Sequence, residues 1–273
     1  MKKPTIGIIT NNQYGVFQRN ILAGVHEIAR TNGYDVLIDS LAEDPLHPRL
    51  VSLEWQKLTG VIVIANAASD ELLSQIYESG KPISLVSHRV PGVPIPGVTS
   101  NNNQGIAELV RHLVKGCHRR KFVYIRGEIN QDDGIQRETV FRHELMRYNL
   151  AAEEMYFVRG DFDPEVAAAS IRELLEHQVH FDVILAADYQ MAIVAVELLQ
   201  TAGIKVPDDV SVAGFGDAPA AQAAGLTTVS ADIIELGRRA ARQLIGQING
   251  LTIQGVTTLS VQLMIRDTTC AAQ

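Results

Sequence analysis

The stretch VPDDVSVAGFGDAP, residues 206–219, decides how the rest of the chain is interpreted. Its middle, residues 210–215, is apolar at nearly every position, which is typical of a strand buried on both faces. The apolar run then stops at Gly216 and Asp217, a small residue followed by an acid. This ending indicates that the loop after the strand leaves space for something other than the core.

Several other short runs have the same apolar character and predict further strands. They are TIGIIT (5–10), YDVLID (34–39), GVIVIA (60–65), PISLVS (82–87), KFVYIRG (121–127), MYFVRG (155–160) and DVILAAD (182–188). The segments between them have helical spacing, as in FQRNILAGVHEIARTNG (17–33) and DPEVAAASIRELLEHQ (163–178). The alternation predicts the α/β class with right-handed crossovers.

The alternation is interrupted twice, in residues 88–103 and 218–232, and a chain of 273 residues is long for one core. We therefore predict two doubly wound, parallel-sheet lobes joined by a hinge that the chain crosses several times. The N-terminal lobe is assigned residues 4–99 and 231–254, and the C-terminal lobe residues 102–229 and 256–270. Ligands of such sheets bind beyond the carboxyl ends of the strands, so facing lobes would enclose a cleft that closes by hinge motion.

Composition narrows the possible functions. The formal net charge of −7 makes the chain alone a poor candidate for binding nucleic-acid phosphates. The first apolar stretch is too short for a signal-peptide core and no segment has the length of a membrane helix, which predicts a cytoplasmic protein without a membrane partner. The two cysteines, Cys117 and Cys270, match no metal or redox spacing and favour a reducing compartment.

Motifs for cofactors, metals and catalysis are not apparent in the sequence. The pairs His177 with His180 and His112 with His118 are conceivable metal ligands, but neither a carboxylate nor a cysteine completes a set, so no metal is expected. A dinucleotide-binding glycine motif, a phosphate-binding loop and a nucleophile elbow are all missing from the sequence. We therefore expect neither a cofactor nor an enzyme.

The motifs together resemble the lac/gal-repressor family of bacterial transcription regulators. Residues 206–219 and the following GLTTV (225–229) are similar to the family's signature of proline, acidic pair, buried strand, Gly-Phe-Asp-Asp and Leu-Thr-Thr. Further matches run in order along essentially the whole chain, among them TSNNNQGIAELVRHLVKGCHRRKFVYIRG (99–127), QRETVFRHEL (136–145) and LGRRAARQLIGQING (236–250).

The resemblance implies an effector-binding core made of two periplasmic-binding-protein-like lobes. In this family the core follows a helix-turn-helix domain, which we expect to be absent here because PTIGIIT (4–10) is already the first strand. The implied partners are a sugar, sugar acid or nucleoside effector, operator DNA through that N-terminal domain, and a second copy of the chain. The helix YQMAIVAVELLQTAG (189–203) has surplus apolar residues for a homodimer interface, or is fully buried in its lobe. A sugar-binding protein of an import system is the alternative function.

The resemblance also implies a set of ligand-binding side chains near the strand ends. The ten candidates are Asn12, Tyr14, Phe17, His88, Arg89, Asn101, Arg137, Phe162, Asp188 and Asp217. Arg137 matches the arginine that clamps the ligand, and Phe17 and Phe162 match aromatic positions that contact it. Three of the candidates also have a structural explanation. Phe17 is alternatively a core residue, Arg137 a surface residue of a helix, and Asp188 a helix cap.

Several positions depart from the family pattern by losing an acid or a polar group. Gly216, His88 and Asn101 stand where aspartate is common, and Ala187 replaces a polar residue. Fewer carboxylates beside Arg137, Arg89 and His88 would leave the cleft more positive than a neutral sugar requires. This suggests the hypothesis that the effector carries a carboxylate or phosphate, which would be the partner of an otherwise unpaired arginine.

Overall fold

The computed structural model describes residues 3–40, 54–150 and 157–270. The chain forms two compact units: an N-terminal unit of Met1–Ser100 and Asp232–Leu259, and a C-terminal unit of Asn101–Ala231 and Ser260–Gln273. It passes from one unit to the other three times, after Ser100, Ala231 and Leu259. The predicted α/β class with two mostly parallel sheets is confirmed.

The N-terminal unit has one six-stranded sheet. Its strands are β1 (Thr5–Thr10), β2 (Asp35–Ser40), β3 (Gly60–Ile64), β4 (Ile83–Val86), β5 (Gly97–Ser100) and β11 (Val256–Leu259). Its helices are α1 (Val16–Thr31), α2 (Asp70–Glu78) and α8 (Ile233–Ile248), with a 3₁₀ turn at Trp55–Lys57. The strand order is β11-β5-β4-β3-β1-β2 and all pairs are parallel. Because helices cover the sheet, β3 and β4 are buried at every position.

The C-terminal unit repeats this plan. Its strands are β6 (Phe122–Ile125), β7 (Phe157–Val158), β8 (Val183–Ala186), β9 (Ser211–Phe215), β10 (Thr227–Ala231) and β12 (Val261–Met264). Its helices are α3 (Asn102–Arg111), α4 (Asp132–Arg147), α5 (Pro164–Glu176), α6 (Tyr189–Thr201) and α7 (Pro219–Ala223), and a π-helical turn, His112–Gly116, follows α3. The order is β12-β10-β9-β8-β6-β7, and only β12 among these strands runs antiparallel to its neighbour.

An aromatic cluster anchors α4 to the edge of the C-terminal sheet. The rings of Tyr124 on β6 and Phe141 on α4 stack with centroids 4.6 Å apart, and Phe157 on β7 lies within 6 Å of both, at 5.9 and 5.8 Å. Tyr124 and Phe141 are completely buried or nearly so. This packing fixes α4 relative to the ends of the strands, and α4 carries Arg137.

The structure corrects the predicted boundary at the end of the chain. The prediction places 256–270 in the C-terminal lobe, but β11 pairs with β5 in the N-terminal sheet, with Val256 opposite Gly97. The pattern TLSVQLMIRD (258–267) also resembles one strand, whereas Ser260 separates β11 from β12. An apolar pattern identifies a strand but carries no information about which sheet the strand joins.

The two cysteines are paired, although they lie far apart in the sequence. Cys117 and Cys270 are 153 residues apart and form a disulfide within the C-terminal unit. Cys117 follows the π-helical turn, and antiparallel β12 leads the chain back towards the start of β10, which brings Cys270 to Cys117. His112 also lies here, so the expectation that no cysteine accompanies His112 is wrong.

Among the described residues, no helix is both long enough and apolar enough to cross a bilayer.

Candidate functional site

Each sheet has a point where the strand order reverses. In the N-terminal unit the reversal lies between β1 and β3, and in the C-terminal unit between β6 and β8. In doubly wound sheets the loops that follow the strands at this point form the ligand site. The candidate site is therefore described as two half-sites, one at the carboxyl ends of the strands in each unit.

Arg137 organises the half-site of the C-terminal unit. Its Nε donates a hydrogen bond to Oδ1 of Asn102 at 2.9 Å, and its Nη1 donates to the carbonyl oxygen of Ala187 at 2.8 Å. Its Nη2 lies 3.3 Å from Oδ2 of Asp133, one helical turn earlier on α4. Ala187 directly follows β8, so these contacts hold the guanidinium group at the carboxyl end of that strand. Arg137 is only 7% exposed.

The remaining contacts of this cation complete a network. The guanidinium carbon lies 3.9 Å from the ring centroid of Phe215, the last residue of β9. Asn102 donates from Nδ2 to Oδ1 of Asp133 at 2.8 Å and to Oε1 of Gln136 at 3.1 Å. The assumption of an unpaired Arg137 is therefore wrong, because Asp133 supplies a carboxylate that the family comparison did not consider. Two of the five N–H groups have no partner in the described part of the chain and point to a capacity for further donation.

Asp188 caps the helix that begins beside this network. Its Oδ1 accepts a hydrogen bond from the backbone N–H of Met191 at 2.9 Å, which is the structural alternative given for this residue. Burial raises the pKa of Asp188 to about 6, although the Met191 hydrogen bond and the charge of Arg137 oppose the shift. The carboxyl group therefore titrates near neutral pH.

The end of β9 explains the small residue in the opening stretch. Gly216 has φ +103°, and a Cβ atom there would lie 2.9 Å from Cδ1 of Tyr189. The position therefore requires glycine on steric and conformational grounds, in addition to lacking an acid. Asp217 accepts a hydrogen bond from Nη2 of Arg266 at 3.0 Å, and Nη1 of Arg266 donates to the carbonyl oxygen of Leu226 at 2.8 Å. Asp217 thus orders the loop after β9, and its role in ligand binding stays a prediction.

Phe162 is placed by an unusual backbone. Asp161 and Phe162 have φ values of +54° and +57°, in the left-handed region that non-glycine residues rarely adopt. The N–H of Asp161 donates to the carbonyl oxygen of Arg126 at 3.0 Å, just beyond β6. The ring of Phe162 occupies the space where a side chain on Gly127 would lie. Strained residues of this kind concentrate at functional sites, which supports the predicted contact of Phe162 with a ligand.

Asn101 has a local structural role. It is the N-cap of α3, and its Oδ1 accepts a hydrogen bond from the backbone N–H of Gln104 at 3.0 Å. Its predicted ligand contact is not tested by this arrangement.

In the N-terminal unit, the loop after β1 is held by its own backbone. Oδ1 of Asn12 accepts hydrogen bonds from the N–H groups of Tyr14 at 2.7 Å and Gly15 at 3.1 Å. The Tyr14 side chain is 77% exposed, whereas Phe17 is half-buried against the core of this unit. Turn capping therefore describes Asn12, and packing against the core describes Phe17. Their predicted ligand contacts remain predictions.

His88, which lies just after β4, is buried and faces a carboxylate group. Nε2 of His88 lies 3.0 Å from Oδ1 of Asp70, and His88 is buried. The expectation that His88 lacks a carboxylate beside it is therefore wrong, because Asp70 faces it. Arg89 is exposed and has no ion pair within residues 3–40, 54–150 and 157–270.

Three buried polar atoms at this edge are left without hydrogen bonds to any described residue. They are Oδ1 of Asn11, Oγ of Ser87 and Nδ1 of His88. Nδ2 of Asn11 does donate to Oδ1 of Asn66 at 3.0 Å, across the ends of β1 and β3. Buried polar groups without partners are costly in a folded protein, and a polar ligand would satisfy them.

Sequence reasoning missed several of these functional candidates. Asn66, Ser87, Asn102, Asp133 and Tyr189 were not predicted. Asn66 and Ser87 lie just after β3 and β4, so the rule that polar residues after strands line the site would have identified them. Asp133 precedes Arg137 by four residues, a spacing that places both on one helix face.

Comparison with known proteins identifies the domain type. The family model described as periplasmic binding protein-like domain matches residues 110–269. The HTH-type transcriptional regulator CelR of Thermobifida fusca is 29% identical over 258 residues, which cover 92% of this chain and 75% of CelR.

Two solved structures are similar over nearly the whole chain. A complex of the transcriptional regulator CelR with cellobiose has a TM-score of 0.87 at 26% identity and covers 97% of this chain and 84% of that one. A Lac repressor dimer bound to operator and the anti-inducer ONPF has a TM-score of 0.88 at 20% identity, with 99% and 95% covered. At that identity, the second likeness establishes the fold alone.

Proposed function

The chain belongs to the periplasmic binding protein-like domain family, and from this premise we propose that its effector is an uncharged, polyhydroxylated sugar. The chain is the effector-binding core of a transcriptional regulator of the lac/gal-repressor (LacI) family. Its relatives are regulators, which favours this function over the alternative of a sugar-binding protein for import.

The pairing of Arg137 carries the proposal of an uncharged ligand. A buried guanidinium group without a counterion would demand an anionic ligand, but Asp133 already neutralises Arg137. His88 likewise faces Asp70. Apart from exposed Arg89, what the two half-sites still offer are N–H donors and neutral polar atoms, which suit hydroxyl groups.

A sugar site also needs an apolar surface on which the sugar ring packs, and aromatic side chains provide it here. Phe162 and Tyr189 lie at the ends of strands in the C-terminal unit, beside Gly127 and Gly216. The apolar face of a sugar ring packs on such side chains while its hydroxyl groups accept from Arg137. The solved complex of the CelR relative with cellobiose is consistent with a ligand of this class.

Isothermal titration calorimetry of the chain against matched pairs of ligands tests the proposal. The panel contains neutral mono- and disaccharides, including cellobiose, their uronic acid or phosphate counterparts, and nucleosides. We expect measurable binding by at least one neutral sugar and at least tenfold weaker binding by its acidic counterpart, about 1.4 kcal/mol. Binding confined to acidic compounds would restore the earlier anion hypothesis, and binding confined to nucleosides would reject both.

The wider assignment concerns the assembly in which this core acts. We infer a cytoplasmic homodimer that binds operator DNA through a helix-turn-helix domain and does not catalyse a reaction. Of the larger aliphatic residues on α6, Met191 and Val196 are buried, whereas Ile193, Val194 and Leu198 are half-buried and available for an interface. Light scattering that shows a monomer at high micromolar concentration would contradict the homodimer.

A further inference from the structure

His112, Cys117 and Cys270 form a cluster of potential metal ligands that the effector site does not use. One imidazole nitrogen and two Sγ atoms lie within 4.8 Å of one another in the C-terminal unit. The two sulfur atoms are bonded as a disulfide, and Nε2 of His112 lies 3.5 Å from Sγ of Cys117. The cluster is at the start of β10, because His112 contacts Thr269 and Thr269 contacts Thr227. It therefore lies at the amino ends of the parallel strands, opposite the end that carries Arg137.

The separation of nitrogen and sulfur fits a shared tetrahedral ion. Zinc binds thiolate at about 2.3 Å and imidazole at about 2.0–2.1 Å, so tetrahedral angles put the two ligand atoms about 3.6 Å apart. The observed separation is 3.5 Å. Two thiolates on one zinc ion are about 3.8 Å apart by the same geometry, which rotation about the Cα–Cβ bonds allows once the disulfide is broken.

The surroundings of His112 hold its ring in position. The ring is buried, Oγ1 of Thr269 lies 2.9 Å from Nε2, and Gly116 leaves room beside Nδ1, where a Cβ atom would be 3.1 Å away. A metal on Nε2 would replace the bond to Thr269, whose hydroxyl keeps its 2.7 Å contact with Oγ1 of Thr227.

We propose that His112, Cys117 and Cys270, when the disulfide is reduced, form a three-ligand site for a thiophilic divalent cation such as Zn²⁺, with water in the fourth position. A dithiol reductant supplies the two electrons and two protons that convert the disulfide to two thiols, and it becomes a disulfide itself. The cation then displaces both thiol protons and is held by two thiolates and one neutral imidazole. Oxidation and metal binding thus exclude each other at this position.

Zinc titration of the reduced and oxidised 273-residue chain tests the site. The chain is reduced with a dithiol, desalted without oxygen and titrated with ZnCl₂, and Co²⁺ is used in parallel to record the thiolate charge-transfer absorption. We expect one ion for each reduced chain and none for the oxidised chain. C117S and C270S should weaken binding by about 100-fold or more, and H112Q by about tenfold, because each removes one ligand. H177Q, at an exposed histidine on the same unit, should bind as the wild type does.

Three results would overturn the proposal. These are no zinc uptake by the reduced wild type, equal affinity of H112Q and wild type, and retention of the ion when both cysteines are replaced. If the serine variants fail to fold, the wild type still decides, because zinc must protect both Cys117 and Cys270 from alkylation as measured by mass spectrometry. Alkylation that is unaffected by zinc would reject the site.

Discussion

At the carboxyl ends of the C-terminal strands, Arg137 is buried with an ion-pair partner, two hydrogen-bond acceptors and the ring of Phe215. At the corresponding ends in the N-terminal unit, Oδ1 of Asn11 and Oγ of Ser87 are buried with no hydrogen bond to a described residue. In the first half-site the buried charge is already paired without a ligand, whereas the second has buried polar atoms without any hydrogen bond to a described residue. The difference implies that substitutions in the C-terminal half-site cost stability first, and that those in the N-terminal half-site cost binding without costing stability.

The largest effect is expected from Arg137→Ala. Removing the guanidinium group breaks a buried ion pair, which costs about 3–5 kcal/mol of unfolding free energy. Effector binding should be lost as well. Urea denaturation measures the first effect, and hydrogen exchange should locate the loss of protection in the C-terminal unit.

Arg147→Ala is the matched control on the same helix. Arg147 also pairs with an acid, since its Nη1 lies 2.8 Å from Oε1 of Glu144, but its side chain is 64% exposed. Because Glu144 is itself buried, removal of exposed Arg147 should cost about 1–3 kcal/mol, less than removal of Arg137, and should leave effector binding unchanged. If R137A were as stable as R147A, the buried ion pair of Arg137 would not stabilise the C-terminal unit as proposed.

The next effect is a pH dependence that comes from Asp188. Its folded pKa of about 6 lies above the ordinary value of 3.8, so its contribution to stability is complete below pH 3.8 and is lost as the pH rises through 6. Asp188→Asn keeps a capping oxygen but cannot ionise. Between pH 4 and 7 the wild type should lose about 2 kcal/mol of unfolding free energy relative to D188N. If the unfolding free energies of the two proteins changed equally with pH, the pKa of Asp188 would not be raised by folding.

These contrasts also show what the sequence could predict. The parallel strands and Arg137 were predictable because apolar periodicity and motif order are local signals. Asp133 carried a usable signal, since it lies one helical turn before Arg137. The bond between Arg137 and Asn102 joins residues 35 apart, and Cys117 and Cys270 are 153 apart. Such pairings are set by how the strands are ordered in the sheet, which local patterns do not encode.

A smaller effect is expected where the backbone, not a charge, shapes the C-terminal half-site. A side chain on Gly127 would overlap the ring of Phe162, so Gly127→Ala should cost about 1–3 kcal/mol through overpacking. Phe162→Ala removes the obstacle. The double variant should lose less unfolding free energy than the sum of the two single losses, by at least about 0.5 kcal/mol. Urea denaturation of the four proteins in a double-mutant cycle measures this difference. Additive costs would mean that Gly127 is not required by the ring.

The smallest effect comes from the N-terminal half-site and has the opposite sign. Ser87→Ala deletes a buried hydroxyl group that has no partner among the described residues, so the unliganded protein should gain up to about 1 kcal/mol of unfolding free energy. Effector affinity should fall about fivefold, because the ligand loses a polar contact. Ser84→Ala, three residues earlier on β4, is the control. Oγ of Ser84 donates to Oε1 of Gln243 at 3.1 Å, so S84A should lose stability and keep its affinity. If S87A and S84A changed stability and affinity in the same way, the Ser87 hydroxyl group would not be a polar group that awaits a ligand.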